Sequence, residues 1–419
     1  MHENVKRFVV NVPNIMDQSM GYISSFFDDV IGRMPMLTHL ELLSRSSMLE
    51  EDDKLEPRRT PWMEEIEDDV LELIRGLPNL HVIALPPCHL TPRVAEQLSH
   101  LPNLTEIFYR LGPEQGYPVI DDLAFSFAEG AFPSLKHLGN FARVEQMTQF
   151  LESPFSPSNL VVLQIEWYVF DDPFDVHELS VAVAANCQLL TKFHFLTHQK
   201  PFTEDTYNEK IAVTLDPFRP LFSCTNITTF EMVYQYPLTL QLEDMEEIAS
   251  KWPSLETLKL NNHPAFLPTH ESLLTLPTLR SLLPFARHCP RLRHLGLFLH
   301  ATTTDLPPLH ELQSFQRLEC LSMGASYLSE EGPVTHFLSQ ICPVGCRVES
   351  NVWVGKIWES LRREWETVDR WLPVLTRSRM EERRRTREES MERVRVLEAE
   401  VAALRSGLCG HGNSNIALQ

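Results

Sequence analysis

Three histidines, His288, His294 and His300, recur every six residues and are the first candidates for chemistry in this 419-residue chain. Imidazole is a common zinc ligand and a general acid or base near neutral pH. His294 is expected on an outward-facing strand position, whereas His288 and His300 flank that strand, so the three rings should not converge. The favoured interpretation is three separate structural histidines.

A second candidate is the pair Cys342 and Cys346, which offers zinc ligands together with the nearby His336. No second pair at a workable spacing completes four ligands, so buried, reduced thiols are favoured over a metal site. The eight cysteines lie mostly at apolar repeat positions, and a disulfide framework is not expected. They are Cys88, Cys187, Cys224, Cys289, Cys320, Cys342, Cys346 and Cys409.

Two carboxylate pairs, Asp121 with Asp122 and Asp171 with Asp172, precede helical stretches, where aspartate serves capping and dipole roles. The sequence contains no Gly-x-x-x-x-Gly-Lys-Ser/Thr, Gly-x-Gly-x-x-Gly, Gly-x-Ser-x-Gly or His-Glu-x-x-His motif. We therefore expect no catalytic residues, no cofactor and no metal, and the chain is not predicted to be an enzyme.

The elements that position these residues are indicated by a recurring phrase, in which an aromatic residue, Leu or Cys is followed by Pro-x-Leu-x-x-Leu-x-Leu. Its clearest copies begin at Met34, Leu77, Trp252 and Cys289. Two apolar residues separated by one variable residue have strand periodicity, so both face one side of a sheet. Between the strands lie stretches with helical spacing, and each ends at the next Pro-x-Leu because proline disfavours continuation of a helix.

These helical stretches are 69–74, 93–98, 144–151 and 242–249, and Thr91-Pro92 supplies an N-cap followed by proline at the first helical position. Aligned strands give about 11 irregular repeats spaced by 24 to 43 residues. The short spacings match the leucine-rich repeat, and the long ones leave room for a helix or an inserted loop. The predicted fold class is an α/β leucine-rich-repeat solenoid, a horseshoe with a parallel concave sheet and outer helices, followed by a C-terminal helical extension. The repeat anchors are Val5, Leu37, Leu80, Leu104, Leu135, Leu160, Leu190, Ile227, Leu255, Leu292 and Leu318.

The chain is predicted to have three parts. Residues 1–355 form the solenoid, with an acidic insertion near 44–69 and a second insertion at 197–216. Residues 356–406 form a C-terminal helical cap and a short coiled-coil-like helix, and residues 407–419 form a disordered tail. In the cap, an aromatic stripe at spacings of three and four is predicted to dock on the last repeat. The stripe consists of Trp358, Leu361, Trp365, Val368 and Leu372.

The helix beyond Met380 has an apolar stripe of barely two heptads, which is short for a coiled coil. Three interpretations stay open for it: a solvated helix, weak self-association through residues 380–405, or a basic docking or nuclear-import patch at Arg383-Arg384-Arg385. The stripe consists of Val394, Leu397, Val401 and Leu404.

Composition and charge restrict the class of partner. Hydrophobic residues make up 43% and charged residues 22% of the chain, as in a folded protein. The net charge of −20 and the isoelectric point near 5.3 disfavour nucleic acid, which needs a basic surface. No run of about 18 apolar residues exists, and the first residues lack the apolar stretch of a secretory signal. We expect no membrane association and a cytoplasmic or nuclear location.

The repeat phrase and the closing segment 339–349 resemble the leucine-rich repeats of F-box proteins as they occur in fungi, and the resemblance covers roughly residues 5–355. It implies the substrate-receptor part of an SCF-type cullin-RING ubiquitin ligase, in which F-box helices hold the adaptor and the repeats hold the target. No F-box is visible, because the first predicted strand, Val5 to Val10, starts almost at the initiator Met. We therefore expect either that an upstream F-box is missing from the gene model or that this is a repeat-only protein. The adaptor would be a partner only in the first case.

The variable strand positions build the predicted concave face, where aromatic and arginine side chains contribute most to binding. The predicted function is a protein–protein interaction scaffold that binds a target protein there. The alternative is a repeat-only scaffold without a ligase role, self-associating through its C-terminal helix. For Trp167 and Tyr168, packing under an adjoining loop is an equal alternative to binding. The predicted protein-binding residues are Phe108, Arg110, Phe141, Glu166, Trp167, Tyr168, His194, Lys259 and Phe298.

Overall fold

Twelve strands form one sheet in which every neighbouring pair is parallel and the strands follow chain order. The computed structural model describes residues 4–12, 21–44, 61–87, 89–110, 124–167, 173–197, 213–234, 236–264, 276–350 and 356–410. The twelve strands are β1 (Arg7–Val12), β2 (His39–Ser44), β3 (Val82–Leu85), β4 (Glu106–Tyr109), β5 (His137–Phe141), β6 (Val162–Trp167), β7 (Lys192–Thr197), β8 (Thr229–Val233), β9 (Thr257–Leu260), β10 (His294–Leu297), β12 (Cys320–Ser322) and β14 (Arg347–Glu349). A separate two-stranded sheet pairs β11 (His300–Ala301) with β13 (Tyr327–Leu328).

Parallel strands need crossover connections, and among the described residues an α-helix or a 3₁₀ helix lies in each of them except that between β4 and β5. The α-helices are α1 (Gly21–Arg33), α2 (Pro61–Gly76), α3 (Pro92–Ser99), α4 (Val144–Glu152), α5 (Pro173–Asn186), α6 (Leu242–Lys251), α7 (Leu283–His288), α8 (Glu331–Ile341) and α9 (Lys356–Gly410). Short 3₁₀ helices occur at Asp216–Ser223, Leu279–Leu282 and Leu309–Glu311. At the start of α3, Thr91 Oγ1 accepts a hydrogen bond from the Val94 N–H, which confirms the predicted cap.

The recurring proline phrase forms a turn between each helix and its strand. The N–H of Leu80 donates to the Leu77 carbonyl at 3.3 Å, and the N–H of Leu292 donates to the Cys289 carbonyl at 3.1 Å. Proline is favoured at the second position of such a turn because its ring fixes φ near the required value. The helix therefore stops at the same place in each copy, and the next strand starts in the same register.

The strands alternate between buried and outward side chains, as the sequence predicts. In β7 and β9, for example, Phe193, Phe195, Leu258 and Leu260 are buried, whereas the residues between them are partly exposed. One continuous hydrophobic cluster runs from Ile23 in α1 to Leu372 in α9. The predicted leucine-rich-repeat solenoid is confirmed, with β14 as a further strand after the eleven that the sequence predicts.

The acidic insertion is partly helical. Helix α2 begins at Pro61, so residues 61–69 of the insertion are helical, while residues 45–60 lie outside the described part. Most of the second predicted insertion, residues 198–212, also lies outside it.

Helix α9 is a single 55-residue helix that contains Pro373. Leu361, Trp365, Val368 and Leu372 are buried, and the Trp365 indole N–H donates to the Ser326 carbonyl at 2.8 Å. The first half of α9 therefore docks on the last repeats, as the stripe predicts.

Helix α9 extends into the segment that the sequence predicts to be a tail. Residues 407–410 were expected to be disordered but continue α9, and residues 411–419 lie outside the described part. No helix in the described ranges is long and apolar enough to cross a lipid bilayer.

Candidate protein-binding face

The outward side chains of the twelve strands form the surface predicted to be concave, which we call the sheet face. Its charges balance among the described residues, although the chain carries a net charge of −20. The acidic surplus therefore lies elsewhere, and the sheet face does not repel an acidic partner as the remaining surface does. Five basic and five acidic side chains lie along it: Arg7, Arg110, Lys192, Lys259 and Arg347, and Glu41, Glu106, Glu166, Glu231 and Glu349.

At the β1 end, the buried carboxylate of Glu41 holds two arginines. Arg7 Nη2 lies 2.6 Å from Glu41 Oε1, and Arg110 Nε lies 3.2 Å from Glu41 Oε2. The Arg110 guanidinium also stands over the Phe108 ring, with 5.3 Å between its carbon and the ring centroid. Arg110 reaches Glu41 across β3, where the register places the small Ala84 between Glu41 and Phe108. A buried anion thus orients two exposed guanidinium groups.

In the middle of the sheet, Glu231 links three neighbouring strands. His194 Nδ1 lies 3.3 Å from Glu231 Oε2, and Lys259 Nζ lies 3.0 Å from Glu231 Oε1. Burial by itself raises the pKa of Glu231, but the hydrogen bonds and charges of His194 and Lys259 outweigh burial and lower the pKa to about 2. The carboxylate is therefore ionised at every physiological pH and keeps both partners in place.

His137 lies between these two ionic groups. Burial is the main cause that lowers the pKa of His137, and the positive charges of His194 and Lys192 lower it further. The Glu106 carboxylate, whose Oε2 lies 3.8 Å from His137 Nδ1, acts in the opposite direction and raises the pKa. Its Nε2 makes no hydrogen bond within the described residues. The His137 ring is thus neutral at neutral pH, and its Nε2 is buried and not presented to a partner.

Small residues make room for the larger side chains of the face. A Cβ added at Gly139 would lie 3.4 Å from Phe108 Cβ, and one added at Gly296 would lie 3.1 Å from Lys259 Cγ. Since neighbouring strands place these glycines beside Phe108 and Lys259, the absence of a side chain leaves space for the ring and for the lysine stem.

Three of the predicted binding residues are buried together at the ends of β5 and β6. Phe141 is fully buried, with its ring 5.8 Å from Tyr109 and 5.1 Å from Trp167. Glu166 and Trp167 are each 9% exposed, and Glu166 accepts a hydrogen bond from the Tyr109 hydroxyl. The register keeps Phe141 and Glu166 on the outward side of the sheet. Aromatic packing across strands covers both of them and Trp167, so the prediction that these three side chains are exposed to a partner is wrong. For Trp167 the structure favours the packing alternative.

Phe298 is also buried, in contrast to its predicted place on the outward face. It packs with Leu276 and Ala325 in a small satellite cluster, and its ring lies 6.3 Å from that of Tyr327. It lies directly after β10, beside the two-stranded sheet, and these neighbouring side chains cover the ring. The predicted site residue Tyr168 lies outside the described residues.

The structure therefore keeps Phe108, Arg110, His194 and Lys259 on the sheet face. It places them in two groups, Phe108 with Arg110 and His194 with Lys259, each built around a carboxylate. Those carboxylates, Glu41 and Glu231, are absent from the predicted binding residues. Their sequence signal is weak, since an acidic outward position reveals itself only when the strand register places basic residues beside it.

The histidine and cysteine candidates have separate surroundings. His288 Nε2 lies 2.6 Å from Glu246 Oε1, while His294 and His300 belong to different strands. Burial raises the pKa of Cys187 and of Cys289 to about 12, so both remain thiols at neutral pH. Among the described residues, no group of three or more His, Cys, Asp or Glu side chains is placed to hold a metal ion.

A charged groove lies at the starts of β9, β10 and β12, beside the sheet face. It is lined by Glu256, Arg291, Arg293, Arg317 and Glu319. Arg293 Nη2 lies 2.7 Å from Glu319 Oε1, so the Glu319 carboxylate neutralises the charge of one of the three arginines. The groove adds a locally basic edge to an acidic protein.

No family model matches the chain. No curated protein matches it either. Among solved structures, the crystal structure of the Rad7 and Elc1 complex in yeast is similar with a TM-score of 0.35 and 11% identity, over 78% of this chain and 67% of that chain. The TLR13–ssRNA13 complex is similar with a TM-score of 0.34 and 15% identity, over 86% of this chain and 57% of that chain.

Proposed function

We propose that the protein is an interaction scaffold that binds a target protein on the sheet face. The observation that carries this proposal is the pair of ionic groups that cross several strands: Arg7–Glu41–Arg110 from β1 to β4, and His194–Glu231–Lys259 from β7 to β9. Side chains already held in one geometry lose less conformational entropy on binding than free ones. A rigid, charge-balanced face on an acidic chain is suited to recognition of another protein.

Phe108 and Arg110 form the first anchor of this face. Aromatic and arginine side chains are enriched among the residues that dominate binding energies. Arg110 is orientated by both the Glu41 carboxylate and the Phe108 ring, and its half-exposed guanidinium keeps further N–H groups for a partner. Lys259 and His194, held by Glu231, form the second anchor.

The test compares two double variants of the full chain as baits in affinity purification with quantitative mass spectrometry. Phe108→Ala with Arg110→Ala removes the first anchor. Phe174→Ala with Arg33→Ala makes the same changes at exposed positions of the helices α5 and α1. We expect the first variant to lose partners by about tenfold or more, as for the loss of a 1.4 kcal/mol contact, and the second to keep them. Equal recovery by the two variants, both folded by circular dichroism, would contradict the proposal.

In its finer form the proposal is that the scaffold is the target-binding part of an SCF-type ubiquitin-ligase receptor. The support for this form is the resemblance of the Pro-x-Leu-x-x-Leu-x-Leu phrase to fungal F-box proteins. Such a role places the protein in the cytoplasm or the nucleus. Purification of the protein at its native level from its own cells should then recover an adaptor and a cullin. Repeated recovery of target proteins without either one would remove the ligase role and leave the scaffold role intact.

A second candidate is a repeat scaffold without a ligase role that associates with itself through residues 380–405. The observation that favours it is the exposure of every described side chain from Glu381 to Arg405. Light scattering on the full chain and on a chain that ends before Met380 distinguishes this candidate, because only the longer chain should gain mass with concentration.

A further inference from the structure

The second half of α9 carries an apolar stripe that no other element in the described part of the chain covers. Val394, Leu397, Val401 and Leu404 are 53%, 59%, 46% and 68% exposed. The exposed residues 381–405 correspond to about 37 Å of helix at 1.5 Å per residue. A helix of this length gains most of its stability from packing of an apolar face.

The residue types on the stripe specify the kind of partner. The 3-4-3 spacing places Val394 and Val401 at successive a positions of a heptad and Leu397 and Leu404 at successive d positions. In a parallel coiled coil, a β-branched residue at a together with Leu at d favours two helices over three or four. A second copy of this chain presents the same stripe.

The residues that flank the stripe have charges that match in a parallel pair. Arg393 and Glu400 occupy g positions, and Glu398 and Arg405 occupy e positions. With two copies in register, each g residue faces the e residue five positions later in the second copy. Arg393 then meets Glu398, and Glu400 meets Arg405, so that each opposite-charge pair occurs twice. None of these four side chains forms an ion pair with another residue of the described chain.

An antiparallel pair that stacks the same four apolar layers has the opposite electrostatics. Its centre falls at Ala399, so Glu398 faces Glu398 of the second copy and Glu400 faces Glu400. Like charges at close range destabilise the pair. The charges therefore select the parallel orientation.

We propose that residues 393–405 of two copies form a parallel, in-register coiled coil. This inference rests on the self-association of the second candidate function and narrows it to one stripe and one orientation. Four apolar layers make a short coiled coil, so the association depends on concentration. Pairing places two sheet faces in one particle, which raises the avidity for a target that carries two binding sites.

The first experiment is sedimentation velocity on the full chain over about 1 μM to 1 mM, the range of weak association. We expect the mass to rise towards twice the 48.3 kDa of one chain. Arg393→Glu should weaken the dimer by about tenfold because it makes both Glu398 contacts repulsive. Adding Glu398→Arg to that variant should restore the dimer. Arg395→Glu is the matched control, since its b position points away from the stripe.

The second experiment tests orientation by cysteine cross-linking in a Cys409→Ser background. Val394→Cys should form a disulfide-linked dimer under mild oxidation, since identical a positions meet only in a parallel pair. Glu398→Cys should not, because residue 398 meets its own copy only in the antiparallel pair. The reverse result, with a dimer by sedimentation, would overturn the parallel orientation and keep the second candidate function. A monomer at all concentrations would overturn both.

Discussion

At the residue scale, Asn261 shows how one side chain fixes a turn at the end of a strand. It follows β9, is fully buried and has a positive φ of 46°. Its Oδ1 accepts from the Tyr234 N–H at 2.9 Å, and its Nδ2 donates to the Tyr236 carbonyl at 2.6 Å. Asparagine tolerates the left-handed region better than most residues and here also links two neighbouring repeats through its amide.

Two replacements of Asn261 should separate the contribution of its hydrogen bonds from that of its positive φ. Asn261→Ala removes both hydrogen bonds and places a Cβ without compensation at positive φ, so we expect a loss of about 2–4 kcal/mol in the free energy of unfolding. Asn261→Gly loses the same hydrogen bonds but tolerates the backbone and should be more stable than Asn261→Ala by about 0.5–1 kcal/mol. Urea unfolding of the two variants measures the difference, and an alanine variant as stable as the glycine variant would show that φ costs nothing here.

At the element scale, the docked half of α9 closes the last repeats. Trp365 is fully buried and bonded to the Ser326 carbonyl, whereas Trp371, six residues later on the same helix, is 53% exposed. The terminal repeat of a solenoid has no next repeat to cover its core, so a polar-faced cap has to replace it. The exposed charges of this helix and its buried Leu361, Trp365, Val368 and Leu372 meet that need.

The two tryptophans make a matched pair for testing the cap. Trp365→Ala should cost about 3–5 kcal/mol, since it removes a large buried ring and a hydrogen bond. Trp371→Ala should change stability by less than about 0.5 kcal/mol. Hydrogen exchange should rise in β13 and β14 for the first variant alone. Similar exchange in both variants would mean that α9 does not protect the last repeats.

At the scale of the whole molecule, buried histidines make stability depend on pH. His89 is 8% exposed and donates from its backbone N–H to the Pro86 carbonyl at 3.2 Å. Burial lowers its pKa to about 4 and, together with the charge of Lys259, lowers that of His263 to about 4. The unfolded chain takes up protons near the ordinary pKa of 6.5, whereas the folded chain does not. Stability is therefore complete above pH 6.5 and falls as the pH drops from 6.5 towards 4.

Urea midpoints at pH 7.5 and pH 5.5 test this dependence. His89 alone should cost roughly 1 kcal/mol between these pH values. His89→Asn keeps a donor for the Pro87 carbonyl and should remove that part of the loss. His310→Asn is the control, because it replaces an exposed imidazole. This variant should lose as much stability between pH 7.5 and pH 5.5 as the wild type does. A wild-type midpoint that does not change, or an equal loss in His89→Asn, would contradict the assignment.

Glu231 adds to the loss of stability on acidification, in a lower pH range. Its pKa of about 2 lies below the ordinary value of 4.5, so its ion pairs stabilise the fold above pH 4.5 and are lost as the pH falls towards 2. The histidines thus respond first as the solution is acidified, and the sheet face keeps its central carboxylate charged through that range.

The sequence alone determined the repeat, because its signals are local. Proline at each helix end, alternating aliphatic residues in each strand and the Thr91 cap act within a few residues, so strands, helices and solenoid class follow without knowledge of distant contacts. The four residues Phe108, Arg110, His194 and Lys259 were placed outward by the same alternation.

Only the tertiary structure decided which outward positions are accessible and which are paired. Arg7 and Arg110 meet Glu41 from 34 and 69 residues away, so their pairing depends on the stacking of repeats. Phe141 and Phe298 stand at or beyond strand ends, where rings from neighbouring segments cover them. Strand periodicity predicts the direction of a side chain, but burial depends on what the rest of the chain places above it.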